Sequence, residues 1–305
     1  MSRQVTFGNG RPRPDGRGSA RARTAHVIRR AINNPAAVPS AVIRTLFPAI
    51  EERRRAHRHR SATVTAALWN VEITRVINRI IAEYGLYVRS GPFKGMMYWP
   101  VNAPGHEAGG LASCLLGAYE CELHDVIEDL TRTDYEQIIN VGCAEGYYAV
   151  GLALRFPRAH VHAFDIVAKA RRVCEGLATV NGVADRVTVH GECTHDHLRQ
   201  LIEKRSLIVT DCEGYELELL RPDLVPGLSR CDMVVELHDF IYAGLTGALV
   251  PRFADTHRIR MVDTEARDPA AFGAYGFLTV EQLDLALNEL RPCPMQWAVM
   301  KALRP

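Results

Sequence analysis

The stretch Ile138-Ile139-Asn140-Val141-Gly142-Cys143-Ala144-Glu145-Gly146-Tyr147-Tyr148 constrains this chain more than any other. An apolar run ends in small residues and passes directly into a helical pattern from Ala149 to Arg155. That order reads as strand, tight turn, helix. A turn of small residues lets backbone N–H groups approach a ligand at a helix N-terminus with no side chain in the way. A second strand, Val161-His162-Ala163-Phe164, ends at Asp165, 23 residues after Gly142. A carboxylate about 20 residues beyond such a turn is positioned to accept hydrogen bonds from ribose hydroxyls.

The pattern continues downstream. Strands are predicted at 138–142, 160–165, 187–191, 206–211, 232–237, 258–263 and 295–302. Helices are predicted at 146–155, 168–181, near 196–203, and at 215–220, 247–256 and 279–290. Seven strands alternating with helices argue an α/β fold, a Rossmann-like doubly wound sheet with helices on both faces. Thr279 to Lys301 suits an antiparallel edge hairpin. In such sheets ligands bind at the carboxyl ends of the strands. Gly142, Asp165, Glu192, Asp211, His238 and Asp239 all fall there.

Upstream, Thr63 to Tyr84 carries a helical apolar stripe. Gly85 to Trp99 reads as two short strands around Gly91-Pro92. Gly105 to Gly110 reads as a loop, and Cys114 to Leu130 as a helix. Net charge is +2, but residues 1–60 contain 14 Arg, no Lys and three acids. The segment is rich in Gly, Pro and Ala up to about Ser40, a signature of disorder for at least its first 25 residues. The expected organisation is a basic arm at 1–60, a helix and β-hairpin extension at 61–114, and the α/β domain at 115–305. Eight Cys with no CxxC or Cys/His zinc spacing suit a reducing compartment. No apolar run reaches 18 residues, so no membrane span is expected and a cytoplasmic location is read. Oligomeric state is not legible.

The turn is Gly142-x-Ala144-x-Gly146 rather than G-x-G-x-x-G, and no Walker A loop is present. It is closer to the D-x-G-x-G-x-G turn of S-adenosylmethionine (SAM) sites. A second motif follows: the strand Ser206 to Thr210 ends in Asp211-Cys212-Glu213-Gly214-Tyr215-Glu216. With Val141 to Tyr148, with Glu236-Leu237-His238 and with Leu116-Gly117-Ala118-Tyr119-Glu120, it resembles the FkbM-type SAM-dependent methyltransferases. These are class I, Rossmann-like enzymes. The resemblance covers about residues 115–240. It departs at Asn140, where the family usually has Asp, and at Glu145, where it often has Asn.

The resemblance implies O-methylation of a small-molecule or glycan hydroxyl, with SAM as cofactor. Cofactor contacts are expected from Glu120, Asn140, Gly142, Cys143, Ala144, Gly146, Tyr147, Asp165, Ile166, Glu192 and Asp211. An alcohol must lose its proton as it attacks the sulfonium methyl, so a general base is useful. His238, with a pKa near neutrality, Asp211 and Glu213 are the candidates. Asp211, Glu213, His238 and Asp239 are also O and N donors suited to Mg²⁺, and His195 and His197 have a metal-like spacing. No metal is assigned. Two other readings share the fold. One is an RNA or protein methyltransferase anchored by the arginine arm. The other is a SAM-binding scaffold without catalysis.

Overall fold

The computed structural model describes residues 70–98, 108–202, 204–269, 275–289, 291 and 293–304. The arm at 1–60, residues 61–69 and the start of the loop expected from Gly105 lie outside them. Asn70 to Pro305 form one compact unit.

Its centre is a seven-stranded sheet: β1 (Gln137–Val141), β2 (His160–Phe164), β3 (Val187–His190), β4 (Ser206–Thr210), β5 (Asp232–Leu237), β6 (His257–Asp263) and β7 (Gln296–Ala302). The order is β3-β2-β1-β4-β5-β7-β6. The first five strands are parallel, and β7 runs antiparallel to both β5 and β6. The expected α/β sheet is therefore present. One detail differs: β7 is not an edge strand but lies between β5 and β6. Its sequence explains why. Trp297, Ala298, Val299 and Met300 are buried in succession, whereas β6 alternates and exposes Arg258, Arg260 and Met261. Continuous burial suits an interior strand and alternation an edge.

β4 and β5 are buried along their whole length, so helices cover both faces. Below the carboxyl ends, Ile139, Ile208, Met233, Val235, Leu219, Leu228, Leu249 and Phe253 form one core. Each such side chain contributes about 1.5–3 kcal/mol by leaving water. That core fixes where the strands end, and hence where the site lies.

Several helices are shorter than their sequence pattern suggests. The helix expected over Cys114–Leu130 is broken into α2 (Ala108–Leu116), a single 3-10 turn and α3 (His124–Leu130). Gly117 breaks it at φ 74°, where an added Cβ would meet the Ser90 backbone at 2.2 Å. Residues 108–110, expected in a loop, open α2. The helix expected at 247–256 becomes Leu245–Leu249 followed by a 3-10 segment, Val250–Phe253, that contains Pro251. The expected hairpin at Gly85–Trp99 is reduced to one antiparallel bridge, Tyr87 to Met97, around the turn at 91–95. A helix over 70–84, here α1, precedes it.

Candidate functional site

The turn after β1 forms as its sequence suggests. Gly142 and Cys143 both donate to the Phe164 carbonyl at 2.9 Å, which ties β1 to the end of β2. Gly142 has φ 76°, and a Cβ there would lie 1.6 Å from the Asp211 carbonyl oxygen. No other residue fits. The helix that follows is α4 (Tyr147–Arg155). Asp165, just past β2, accepts from Ala144 N–H at 2.9 Å and from Val167 N–H at 2.7 Å. Its carboxylate therefore clamps the turn while still facing the open side.

A cavity of about 600 Å³ lies over these strand ends. Of the residues expected at a cofactor, Gly142, Ala144, Asp165, Ile166, Glu192 and Asp211 line it, and so does Glu213. Tyr119, Cys193, Cys212 and Tyr215 also line it, and the sequence reading missed them.

Five expected contacts lie elsewhere. Asn140 is buried inside β1, where its amide donates to the Val209 carbonyl at 3.2 Å. Cys143 and Gly146 pack against Cys174. Tyr147 is buried in a cluster of aromatic rings with Phe93, Tyr98, Tyr119 and Tyr148. Glu120 is 2% exposed, and its carboxylate is held by Arg291 at 2.8 Å and by the Tyr148 hydroxyl. Asn140 thus bonds to the neighbouring strand β4, a partner the motif alone does not show.

Beside Asp211 and Glu213, a charged cluster fills the ends of β4 and β5. His238, 1% exposed, sits among four carboxylates. Its Nε2 lies 3.3 Å from Asp211, 3.5 Å from Glu236 and 3.7 Å from Glu213, and its Nδ1 lies 3.1 Å from Glu216. Burial disfavours its charge, but Asp211 and Glu216 outweigh that and raise its pKa to about 10. The expectation of a near-neutral imidazole is thereby corrected: Asp211 and Glu216 hold His238 as an imidazolium at pH 7.

The carboxylates diverge from one another. Glu236 is raised to about 10 by burial and by the charges of Asp211 and Glu120. Asp211 is lowered in spite of burial, because His238 and Glu236 hydrogen-bond it. Glu213 is raised by partial burial and by the Asp211 charge. Arg291 ties the cluster together, donating to Glu236 at 2.8 Å, Glu120 at 2.8 Å and Glu289 at 2.9 Å.

Backbone strain concentrates in the same place. Among the described residues, the non-glycines with positive φ are Glu120, Ala144 and Glu213. Two of them line the cavity and the third follows Tyr119. Each costs on the order of 1 kcal/mol or more, and such conformations persist where a site requires them.

The remaining metal-like residues have local duties. Asp239 accepts from Gly244 and Thr246 backbone N–H groups and the Thr246 hydroxyl. His195 contacts the Glu218 carbonyl, and His197 completes the capping box of its helix with Thr194.

No protein-family model matches the sequence, and no curated protein does. Solved structures with a similar fold include the O-methyltransferase TomG of Streptomyces achromogenes, in complex with SAM. It is 14% identical over 66% of this chain and 92% of its own, with a TM-score of 0.41. A geranyl diphosphate C-methyltransferase from Streptomyces coelicolor, in complex with Mg²⁺, geranyl diphosphate and S-adenosyl-L-homocysteine, is 14% identical. It covers 67% of this chain and 86% of its own, with a TM-score of 0.40. A candidate rRNA methylase from Clostridium thermocellum is 12% identical over 60% of this chain and 97% of its own, with a TM-score of 0.43. Among the described residues, no helix is long and apolar enough to cross a membrane.

Proposed function

We propose that this chain is a SAM-dependent O-methyltransferase that acts on a hydroxyl of a small molecule or glycan. One observation carries the reading: the glycine turn, the Asp165 carboxylate and the Asp211–Glu213 element face a single cavity of about 600 Å³. Its volume falls in the range of small-ligand sites. In this reading Asp165 accepts from the ribose hydroxyls. Ile166 and Glu192 flank the adenine. Gly142 brings its backbone close to the methionine part, beside Tyr119 and Asp211.

SAM supplies the methyl group and the leaving group. What remains for the chain is to align acceptor, methyl and sulfur and to take a proton. Glu213 is the best-placed base. It lines the cavity on a strained backbone, its side chain is 74% exposed, and its affinity for a proton is raised. A base works best when its pKa approaches the working pH. His238, buried against Asp211, Glu213 and Glu216, positions these carboxylates instead of taking the proton itself.

In this reading the segment after β5 borders the acceptor. Phe240, Ile241 and Tyr242 are exposed after β5, and a Cβ on Gly214 would strike the Tyr242 ring at 2.5 Å. An aromatic rim of this kind suits a ring-bearing acceptor or a sugar face. The test is a screen of hydroxylated metabolites and glycosides with methyl-labelled SAM. Label on an acceptor oxygen, lost in Glu213→Gln, supports the reading. Label found only on nitrogen or on RNA would overturn it.

A further inference from the structure

We propose that the cluster at the ends of β4 and β5 is a divalent-cation site, with His238 Nε2, Asp211 and Glu236 as the protein ligands. The inference stands on the geometry of the cluster and does not require the methyl-transfer reading.

Three carboxylates converge on one nitrogen. Nε2 can donate a single hydrogen bond, yet Asp211, Glu236 and Glu213 oxygens lie 3.3, 3.5 and 3.7 Å from it. A charge-assisted hydrogen bond would close to about 2.7–2.9 Å. None of the three does. Bonds of about 2.0–2.2 Å from a small divalent cation would instead set neighbouring ligand atoms roughly 3.0–3.6 Å apart. The 3.3 and 3.5 Å separations of Asp211 and Glu236 from Nε2 fall within such a coordination shell.

Buried polar atoms without partners point to the same place. Glu216 is fully buried, and its Oε2 has no hydrogen-bond partner. Its Oε1 accepts from Cys212 N–H at 2.8 Å and stands 3.1 Å from His238 Nδ1. His238 Nδ1 is likewise buried without a hydrogen-bond partner, so Glu216 faces it at 3.1 Å, in the position of a carboxylate behind a metal-bound imidazole. Of the proposed ligands, Asp211 and His238 offer donor atoms within 4.8 Å of each other. Asp211 reaches the cavity, so an ion here would have open positions for a ligand from that side. One imidazole with carboxylates suits Mn²⁺, Mg²⁺ or Fe²⁺ better than a soft, thiolate-binding metal. On binding, the ion displaces to solvent the protons held on Nε2 and on Glu236, and takes over the neutralising charge. In the proposed reaction it would acidify an acceptor hydroxyl.

The test uses the full chain, stripped with EDTA and titrated with Mn²⁺ in calorimetry without SAM, so that it does not depend on cofactor binding. One ion per chain is expected, with affinity at least tenfold weaker in His238→Ala and in Asp211→Asn. Equal affinity in folded variants, or no saturable binding to the wild-type chain, would overturn the proposal. If either variant fails to fold, the wild-type chain labelled with ¹⁵N-histidine decides. Mn²⁺ should broaden the ring signals of His238 first. Broadening confined to other histidines would overturn the site.

Discussion

At the residue scale, the site separates into groups that touch the cavity and groups that hold them. Glu213 belongs to the first kind. Glu213→Gln should lower turnover at least a hundredfold, the usual worth of a general base, while SAM affinity stays within twofold. The wild-type rate should fall on the acid side as Glu213 protonates. Its pKa is raised, so that fall should begin at a higher pH than an ordinary glutamate's. The acid limb should disappear in the variant, and an unchanged limb would remove Glu213 as the base. Asp165 and Asp211 were legible in the sequence because a strand end fixes where such residues lie. The state of His238 was not. Its charge depends on Glu216 and Glu236, which approach from an adjoining helix and from its own strand, and only packing reveals that meeting. For Asn140 the motif gives the position along the chain but not the hydrogen bond of its amide to the Val209 carbonyl.

At the element scale, the turn after β1 is the most constrained piece of the fold. Gly142→Ala should cost about 1–3 kcal/mol or more through overpacking against the Asp211 carbonyl. It should also reduce SAM binding. A melting temperature equal to wild type would show that the close approach is not needed. The strands were readable because buried parallel strands are continuous apolar runs. Helix ends were not, since Gly117 and Pro251 act through close contacts and missing donors that periodicity does not register.

β2 and β3 carry a further feature, a row of imidazoles. His162 Nδ1 lies 3.3 Å from His190 Nε2, and the rings of His160, His162, His190 and Phe164 lie against one another. Burial, and then the neighbouring imidazoles His160 and His190, lower the His162 pKa to about 4. His160 and His190 are lowered too, again by burial first. For a base with a depressed pKa, the neutral folded form is favoured. Stability from the row is thus full above about 6.5 and is lost as pH falls through about 4. Thermal melts from pH 7.5 to pH 4 should show this loss, and His162→Gln should lessen it. An equal loss in the variant would place the acid sensitivity elsewhere.

At the scale of the whole molecule, Arg291 links parts far apart in sequence. It joins Glu120 before α3, Glu236 in β5 and Glu289 after the helix Val280–Leu287. Arg267 extends the network to Glu122 and Glu289. Removing one partner of a buried network leaves uncompensated charge, at a cost of about 3–5 kcal/mol. Arg291→Ala should therefore lower the urea midpoint markedly, and a shift worth under about 1 kcal/mol would show the network to be dispensable. None of this could be read from sequence, where Arg291 is a lone basic residue between a leucine and a proline.

The central claim is a SAM site at the carboxyl ends of β1, β2 and β4. Titration calorimetry of the full chain with SAM, beside Asp165→Ala and with NAD as a control, tests it most directly. One SAM per chain is expected. Affinity should be at least tenfold weaker in Asp165→Ala, since paired hydrogen bonds to a carboxylate are worth ~1.5–3 kcal/mol. Undiminished affinity in that variant, or binding of NAD with none of SAM, would contradict it.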